Sequence, residues 1–379
     1  MKKIVLATLG LSLLMALPAG AAKKKEHKWT QQEVVQVIKR VNRYWQNNNK
    51  PEVRSFWDNA AYHTGNMEVY SLLQDNNMLN YSIRWANYNK WCGATETDST
   101  KWKYKTYGEG QDYVLFGDWQ VCFQTYIDLY NLNQKNFCVK RAKEVMHHEA
   151  YSDANDYWWW SDALYMVMPV MTKMYKLTGD TKYLDKLYDN LCYTDKLMYD
   201  EETGLYFRDA RYVYPKHKSE NGKKDFWARG DGWVLAGLAK VLQDLPQDYE
   251  HYAFFLEKYQ KMAAAVAKTQ QPEGYWTRSM MDPEHAPGPE TSGTAFFTYG
   301  ILWGVNNGYL DPGEYQETID AAWKYLTETA LQTDGSVGYV QPIGDRAIPG
   351  QTVDASSQAP FGVGAFLLAA CEYDRFLSE

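Results

Sequence analysis

Two aspartates stand in surroundings that would change their acidity. Asp162 follows three tryptophans in YWWWSDALYMVMPV, and Asp118 lies in VLFGDWQVCFQTYIDLY. A carboxyl among aromatic and aliphatic side chains is poorly hydrated. Its ionised form is disfavoured, and it can keep a proton near neutral pH for use as a general acid. The competing role is helix capping, for which Asp is a common choice. Taken alone, either aspartate fits a cap about as well as a pocket acid, but capping leaves the triple tryptophan before Asp162 unexplained. Asp231 sits between two glycines in DFWARGDGW, beside Trp227, Arg229 and Trp233, and fits a cap or a pocket equally. His63, in AAYHTGN, opens a helix and could face the same pocket, although a hydrogen-bonded structural histidine is the commoner case. Arg208 and Arg211 suit an anion better than the lysines of the polar loop RYVYPKHKSENGKKD, which read as solvated.

Other chemistries lack their motifs. The chain has no HExxH, GxSxG or P-loop, and no CxxC among its five cysteines. The expectation is therefore no metal and no cofactor. The cysteines read as small buried hydrophobes, with room for one disulfide after export. The formal net charge is −7, and no basic patch interleaved with aromatics appears, which argues against nucleic acid. Aromatic residues make up 16%, including 15 Trp and 31 Tyr, and such rings are what the apolar face of a sugar stacks on. At the N-terminus, Lys2 and Lys3 precede the apolar run IVLATLGLSLLMALP and the small-residue stretch AGA. Residues 1–22 are thus expected to be a cleaved signal peptide, leaving an exported, most simply periplasmic, protein with no membrane association. The oligomeric state is not legible.

The elements that must position these residues are helices. Past the signal, segments of 3.6-residue period alternate with short polar or glycine-bearing turns, and sustained β alternation is scarce. Clusters of aromatic or small residues open helices near Trp57, Asp118, Asp162, Asp231, Ser292 and Phe361, at intervals of roughly 45–70 residues. About twelve helices are expected, starting near Thr30, Ala60, Leu79, Leu115, Lys135, Trp158, Thr181, Asp231, Tyr249, Thr291, Pro312 and Pro360. Six hairpins of this kind predict an all-α (α/α)6 barrel over residues 23–379 as one domain, with an open α-solenoid as the alternative. In a closed barrel the inner helices bring their opening clusters to one shared pocket.

WWWSDALYM, FWARGDGWVLAGL and FGDWQVCFQTYIDLY, with ETSGTAFFTYGILWG and APFGVGAFLLAACEY in the same order, resemble the unsaturated rhamnogalacturonyl hydrolases of glycoside hydrolase family 105, which are related to the unsaturated glucuronyl hydrolases of family 88. The resemblance runs over essentially the whole mature chain. It implies an (α/α)6 barrel acting on oligosaccharides whose nonreducing end is a 4,5-unsaturated uronic acid. It also implies Asp162 as general acid/base and Asp118 as its ionised partner. By the same resemblance Trp160, Trp227, Arg229 and Trp233 contact the sugar, joined by Asp231, Arg208, His63, Thr291 and Ser292. Three departures touch recognition: Asp231 where the family often has Asn, Arg208 where many members have His, and Trp119 after Asp118 where a second acid is common. An inverting glycosidase or a polysaccharide lyase on the same barrel, and a non-enzymatic glycan-binding protein, are the alternatives.

Overall fold

Local signals start the outer helices. At the first, the Thr30 hydroxyl accepts from the Glu33 N–H and the Glu33 carboxylate accepts from Thr30, a reciprocal cap that opens α1 (Gln31–Asn48). The computed structural model describes residues 27–378, so the expected signal segment 1–22 lies outside the described residues. After α1 come α2 (Trp57–Leu73), α3 (Asn76–Tyr88), α4 (Gly117–Gln120), α5 (Cys122–Asn133), α6 (Lys140–Ala150), α7 (Ala163–Met166), α8 (Met168–Thr178) and α9 (Lys182–Met198). A two-residue hairpin, β1 (Tyr199–Asp200) and β2 (Leu205–Tyr206), leads to α10 (Ala228–Asp244), α11 (Tyr252–Ala267), α12 (Thr291–Asn306), α13 (Pro312–Tyr325) and α14 (Pro360–Phe376).

Two of these pairs, α4 with α5 and α7 with α8, are single helices with a break, which gives twelve helical positions. The second break has a clear cause. Pro169 has no N–H to give the carbonyl of Tyr165, and the Gln124 side chain from α5 supplies the missing donor at 2.8 Å.

Six helices form an inner ring. α2 packs on α5, α5 on α8, α8 on α10, α10 on α12, α12 on α14, and α14 returns to α2. That closure makes an (α/α)6 barrel and excludes the open solenoid. It needs glycine where the ring meets: a Cβ on Gly65 would lie 2.3 Å from the carbonyl oxygen of Gly364, and one on Gly364 would lie 2.4 Å from that of Ala61. Burial separates the two rings. Every residue of α12 from Thr291 to Val305 is buried, whereas α1 buries one stripe. No described helix is long and apolar enough to cross a membrane. All five cysteines are free.

Each outer helix carries the chain back, so the inner helices run alike and their first turns gather at one end. Five of the six connections feeding that end are long (89–116, 151–162, 207–227, 268–290, 331–359), the exception being 49–56. Those at the other end are a few residues. Long loops over one end of a rigid ring are the usual place for a binding site.

Candidate active site

At the end of the long loops lies a cleft of about 410 Å³. Asp118 and Asp162 are in its floor, with Trp57 at the start of α2 and Trp159 from the loop before α7. Neither aspartate caps its helix. Asp162 occupies the N-cap position of α7 without a capping hydrogen bond, and Asp118 lies in the first turn of α4, where the cap position is Phe116. Both are nearly buried. Burial pushes the Asp118 carboxyl well above the usual carboxylate range, and the neighbouring charge of Asp162 pushes it further; Arg208 opposes this. Burial also raises Asp162, against Arg208 and Arg229. Both carboxyls are therefore set to keep a proton above the usual carboxylate range, and Arg208 opposes this on each.

Arg208 is positioned by the backbone. Trp160 and Asp209 pair in a short antiparallel bridge, and the Ser161 N–H donates to the Arg208 carbonyl at 2.8 Å. This brings Arg208 Nε to 3.4 Å from Asp162 Oδ2, which also accepts from the Ser161 hydroxyl at 3.2 Å. Asp209, itself buried, then orients both cleft arginines. It accepts from Arg208 at 2.7 Å and from Arg211 Nε and Nη2 at 2.9 and 2.8 Å. Arg211 reaches on to Asp345 in the opposite loop at 3.1 Å. Lys105, Tyr107 and Ile343 complete the rim.

Other residues singled out in the sequence take structural places. Trp160 is buried beneath the floor, stacked on Phe116 at 4.6 Å, and Trp159 is the tryptophan that lines the cleft. Arg229 is wholly buried between the rings of Trp227 and Phe361 and donates to the carbonyls of Gln341 and Pro342 at 2.7 and 2.9 Å. Its guanidinium holds the 341–345 loop and does not face the cleft. Trp227 serves the same loop, donating from Nε1 to Gln341 at 2.8 Å. Trp233 packs behind Trp57 and against Phe296 in the barrel interior. Asp231 points toward the β-hairpin and accepts from the Tyr206 N–H at 2.8 Å; burial raises it far above the usual range.

His63 stacks on Trp85 at 3.9 Å with Nδ1 2.9 Å from the Ser82 hydroxyl, between α2 and α3, and burial keeps it neutral. Thr291 bonds Tyr325 and the Gly338 carbonyl, and Ser292 donates to Glu290, the N-cap of α12. Among the described residues no group of three or more His, Cys, Asp or Glu side chains gathers as a metal site.

Sequence reasoning brought the Trp57 cluster to the shared pocket without naming Trp57 as a site residue, and it missed Lys105, Tyr107, Trp159, Ile343 and Asp345. Trp57 and Trp159 carried a usable signal, since each adjoins a helix-opening cluster. The loop residues carried none.

The cleft's chemistry is thus a pair of proton-holding carboxyls beside an oriented guanidinium, with aromatic walls. Residues 29–377 match the profile described as Glycosyl Hydrolase Family 88. A solved glycosyl hydrolase family 88 protein from Bacteroides vulgatus is 58% identical, with a TM-score of 0.90 over 92% of this chain and 100% of that one. A structure described as a polysaccharide lyase is 61% identical, with a TM-score of 0.90 over 92% of this chain and 98% of that one. An unsaturated 3S-rhamnoglycuronyl hydrolase of Formosa agariphila is 41% identical over 219 residues, 57% of each chain. The matched stretch spans only a little over half the length of such curated relatives. The profile match bears out the resemblance read from the motifs: the chain belongs to Glycosyl Hydrolase Family 88.

Proposed function

We propose that this protein hydrolyses the nonreducing-end 4,5-unsaturated uronic acid from oligosaccharides of the kind lyases leave, with a rhamnose-type sugar released. One observation carries the reading: two uncapped carboxyls, both raised in pKa, open on one cleft with Arg208 alongside. The substrate's double bond joins C4 and C5, and its carboxylate is attached at C5. A proton donor for C4 and a cation for the carboxylate must therefore be neighbours, as Asp162 and Arg208 are.

The steps follow from that placement. A carboxylic acid gives its proton to C4, and positive charge develops on C5 and the ring oxygen. The carboxylate left behind takes a proton from water as that water adds to C5. The C5 hemiketal opens to a ketone, and the hemiacetal at C1 collapses to an aldehyde and releases the next sugar. One water is consumed. The other carboxyl, once ionised, stabilises the cationic state.

Asp162 is assigned the proton-transfer role. When the uronate carboxylate engages Arg208, it takes over the cation that lowers Asp162 and adds a negative charge beside it. Both effects raise Asp162, so substrate binding itself protonates the acid. The exchanged assignment, with Asp118 as donor, is favoured by burial and the neighbouring Asp162 charge, which both raise Asp118.

A lyase reading is favoured by the relative described as a polysaccharide lyase. Elimination requires a base to remove the C5 proton, however, and this cleft is set to hold protons. The sign of one measurement decides. The hydrolase removes the ultraviolet absorbance of the conjugated enol ether, whereas a lyase acting on a saturated uronide creates it. Loss of absorbance from an unsaturated uronyl disaccharide is expected; a gain from intact polysaccharide, with no loss from the disaccharide, sinks the reading. The N-terminal sequence also supports export, checked by whether the mature protein from a periplasmic fraction begins near residue 23.

A further inference from the structure

Ile343 is the most exposed large hydrophobic side chain among the described residues, at 58%, and it lines the catalytic cleft. Tyr107, 53% exposed, lines it too. The loop carrying Ile343 is firmly held. Before it, buried Arg229 donates to the Gln341 and Pro342 carbonyls, and the Gln341 N–H donates to buried Glu290 at 3.0 Å. After it, Asp345 accepts from Arg211. The chain thus fixes the backbone on both sides of an isoleucine and leaves the side chain in water. Exposure alone would say little, but an isoleucine held rigidly on the cleft rim, with Tyr107 beside it in the lining, is placed to touch what enters the cleft.

We infer that Ile343 is a specificity residue for the released sugar and reads an apolar C6 substituent, the methyl group of a 6-deoxyhexose rather than the hydroxymethyl of a hexose. The inference rests on the proposed reading of the cleft. The uronate end of the substrate is taken by Arg208, Asp162 and Asp118 in the floor, so the sugar beyond the scissile oxygen extends toward the rim. Trp159 offers a flat face for a ring. A branched aliphatic side chain does not, and what it complements is a methyl group. A hydroxymethyl in the same place would lose water without gaining a partner from Ile343.

The test uses two disaccharides with the same unsaturated uronic acid, one on a 6-deoxyhexose and one on the parent hexose. kcat/KM is measured for the unaltered protein, Ile343→Ser and Ile343→Val. The unaltered protein should prefer the deoxy sugar by about tenfold or more. Ile343→Ser should collapse that ratio, chiefly by raising KM for the deoxy substrate, and Ile343→Val should keep most of it. Equal rates on both sugars, or an unchanged ratio in Ile343→Ser, overturn the inference alone. Failure to turn over either disaccharide removes the proposed function and this inference with it.

Discussion

The two ends of the barrel handle buried charge in opposite ways. At the long-loop end, Asp118 makes no ion pair among the described residues, and Asp162 has Arg208 Nε at 3.4 Å. At the short-loop end a second cavity, about 250 Å³, is lined by Glu68, Asp128, Lys173, Lys240 and Asp244. There the acids are paired: Lys173 lies 2.5 Å from Asp128, Lys176 lies 2.7 Å from Asp244, and Arg375 bonds both Glu68 and Glu372. The bases also stand near the last turns of inner helices, where the dipole favours cations. Pairing spends the charge on holding the helix ends in place. Leaving a carboxyl unpaired keeps a proton available, at a cost in stability. Asp118 and Asp162 on the long-loop cleft are both raised, whereas at the other end Glu68 is lowered, although buried Glu372 is raised.

The largest break in this contrast should come from Asp162→Asn. It leaves the fold intact and should lower kcat by about 10²–10⁴-fold, the usual worth of a positioned acid, read by absorbance loss with circular dichroism as the folding control. Asp118→Asn should cost less. If it costs more, and abolishes the alkaline limb of the pH–rate profile, the two roles are exchanged. At the other end, Arg375→Met should do the reverse. It removes the cation bonded to Glu68 and leaves only the more distant Lys240 and Lys173, so stability should fall by about 1–3 kcal/mol in denaturant melts with kcat unaltered. A lowered kcat there would mean that the two ends are coupled. Asp209→Ala tests how the cleft arginines are held. With Arg208 and Arg211 released, KM for the uronide should rise about tenfold, the usual scale for a residue that orients a ligand's partner, and kcat should change less.

What the sequence made legible divides along the same line. The ring of helices was readable because apolar periodicity and caps are local: α12, α13 and α14 begin at Thr291, Pro312 and Pro360 as expected, and α1 begins one residue past Thr30. The placing of both aspartates on one cleft was readable too, since each lies at the start of an inner helix. The rim was not. Lys105, Tyr107 and Ile343 sit on loops without period, brought to the cleft by contacts far along the chain. DFWARGDGW misled for a related reason. An arginine between aromatics looks like a ligand site, but the same residues are what hold a polar loop on a barrel, and Arg229 spends its donors on two backbone carbonyls. Type and spacing do not say which way a guanidinium points.

The smallest effect is the most direct test of the contrast, because the two ends should respond to pH with opposite signs. Asp118 has a raised pKa in the folded protein. Its folded state binds the proton more tightly than the unfolded chain does, so the stability it contributes is complete below the unfolded value near 3.8 and is lost as pH rises through the raised one. Asp118→Asn cannot ionise. It should match the unaltered protein in acid and become the more stable of the two as pH rises toward 8, by about 1 kcal/mol or more. Glu68 goes the other way. Burial pulls it up, but Arg375, Lys240 and Lys173 together outweigh burial and the net shift is down. Its contribution is present above the unfolded value near 4.5 and is lost as pH falls through the lowered one. Glu68→Gln should therefore be the less stable at neutral pH, by about 1 kcal/mol, and the deficit should close in acid. Thermal melts of both variants from pH 3 to pH 8 would show two difference curves of opposite slope. Parallel curves would mean that both ends hold charge in the same way, and that the cleft carboxyls are no better supplied with protons than those at the opposite end.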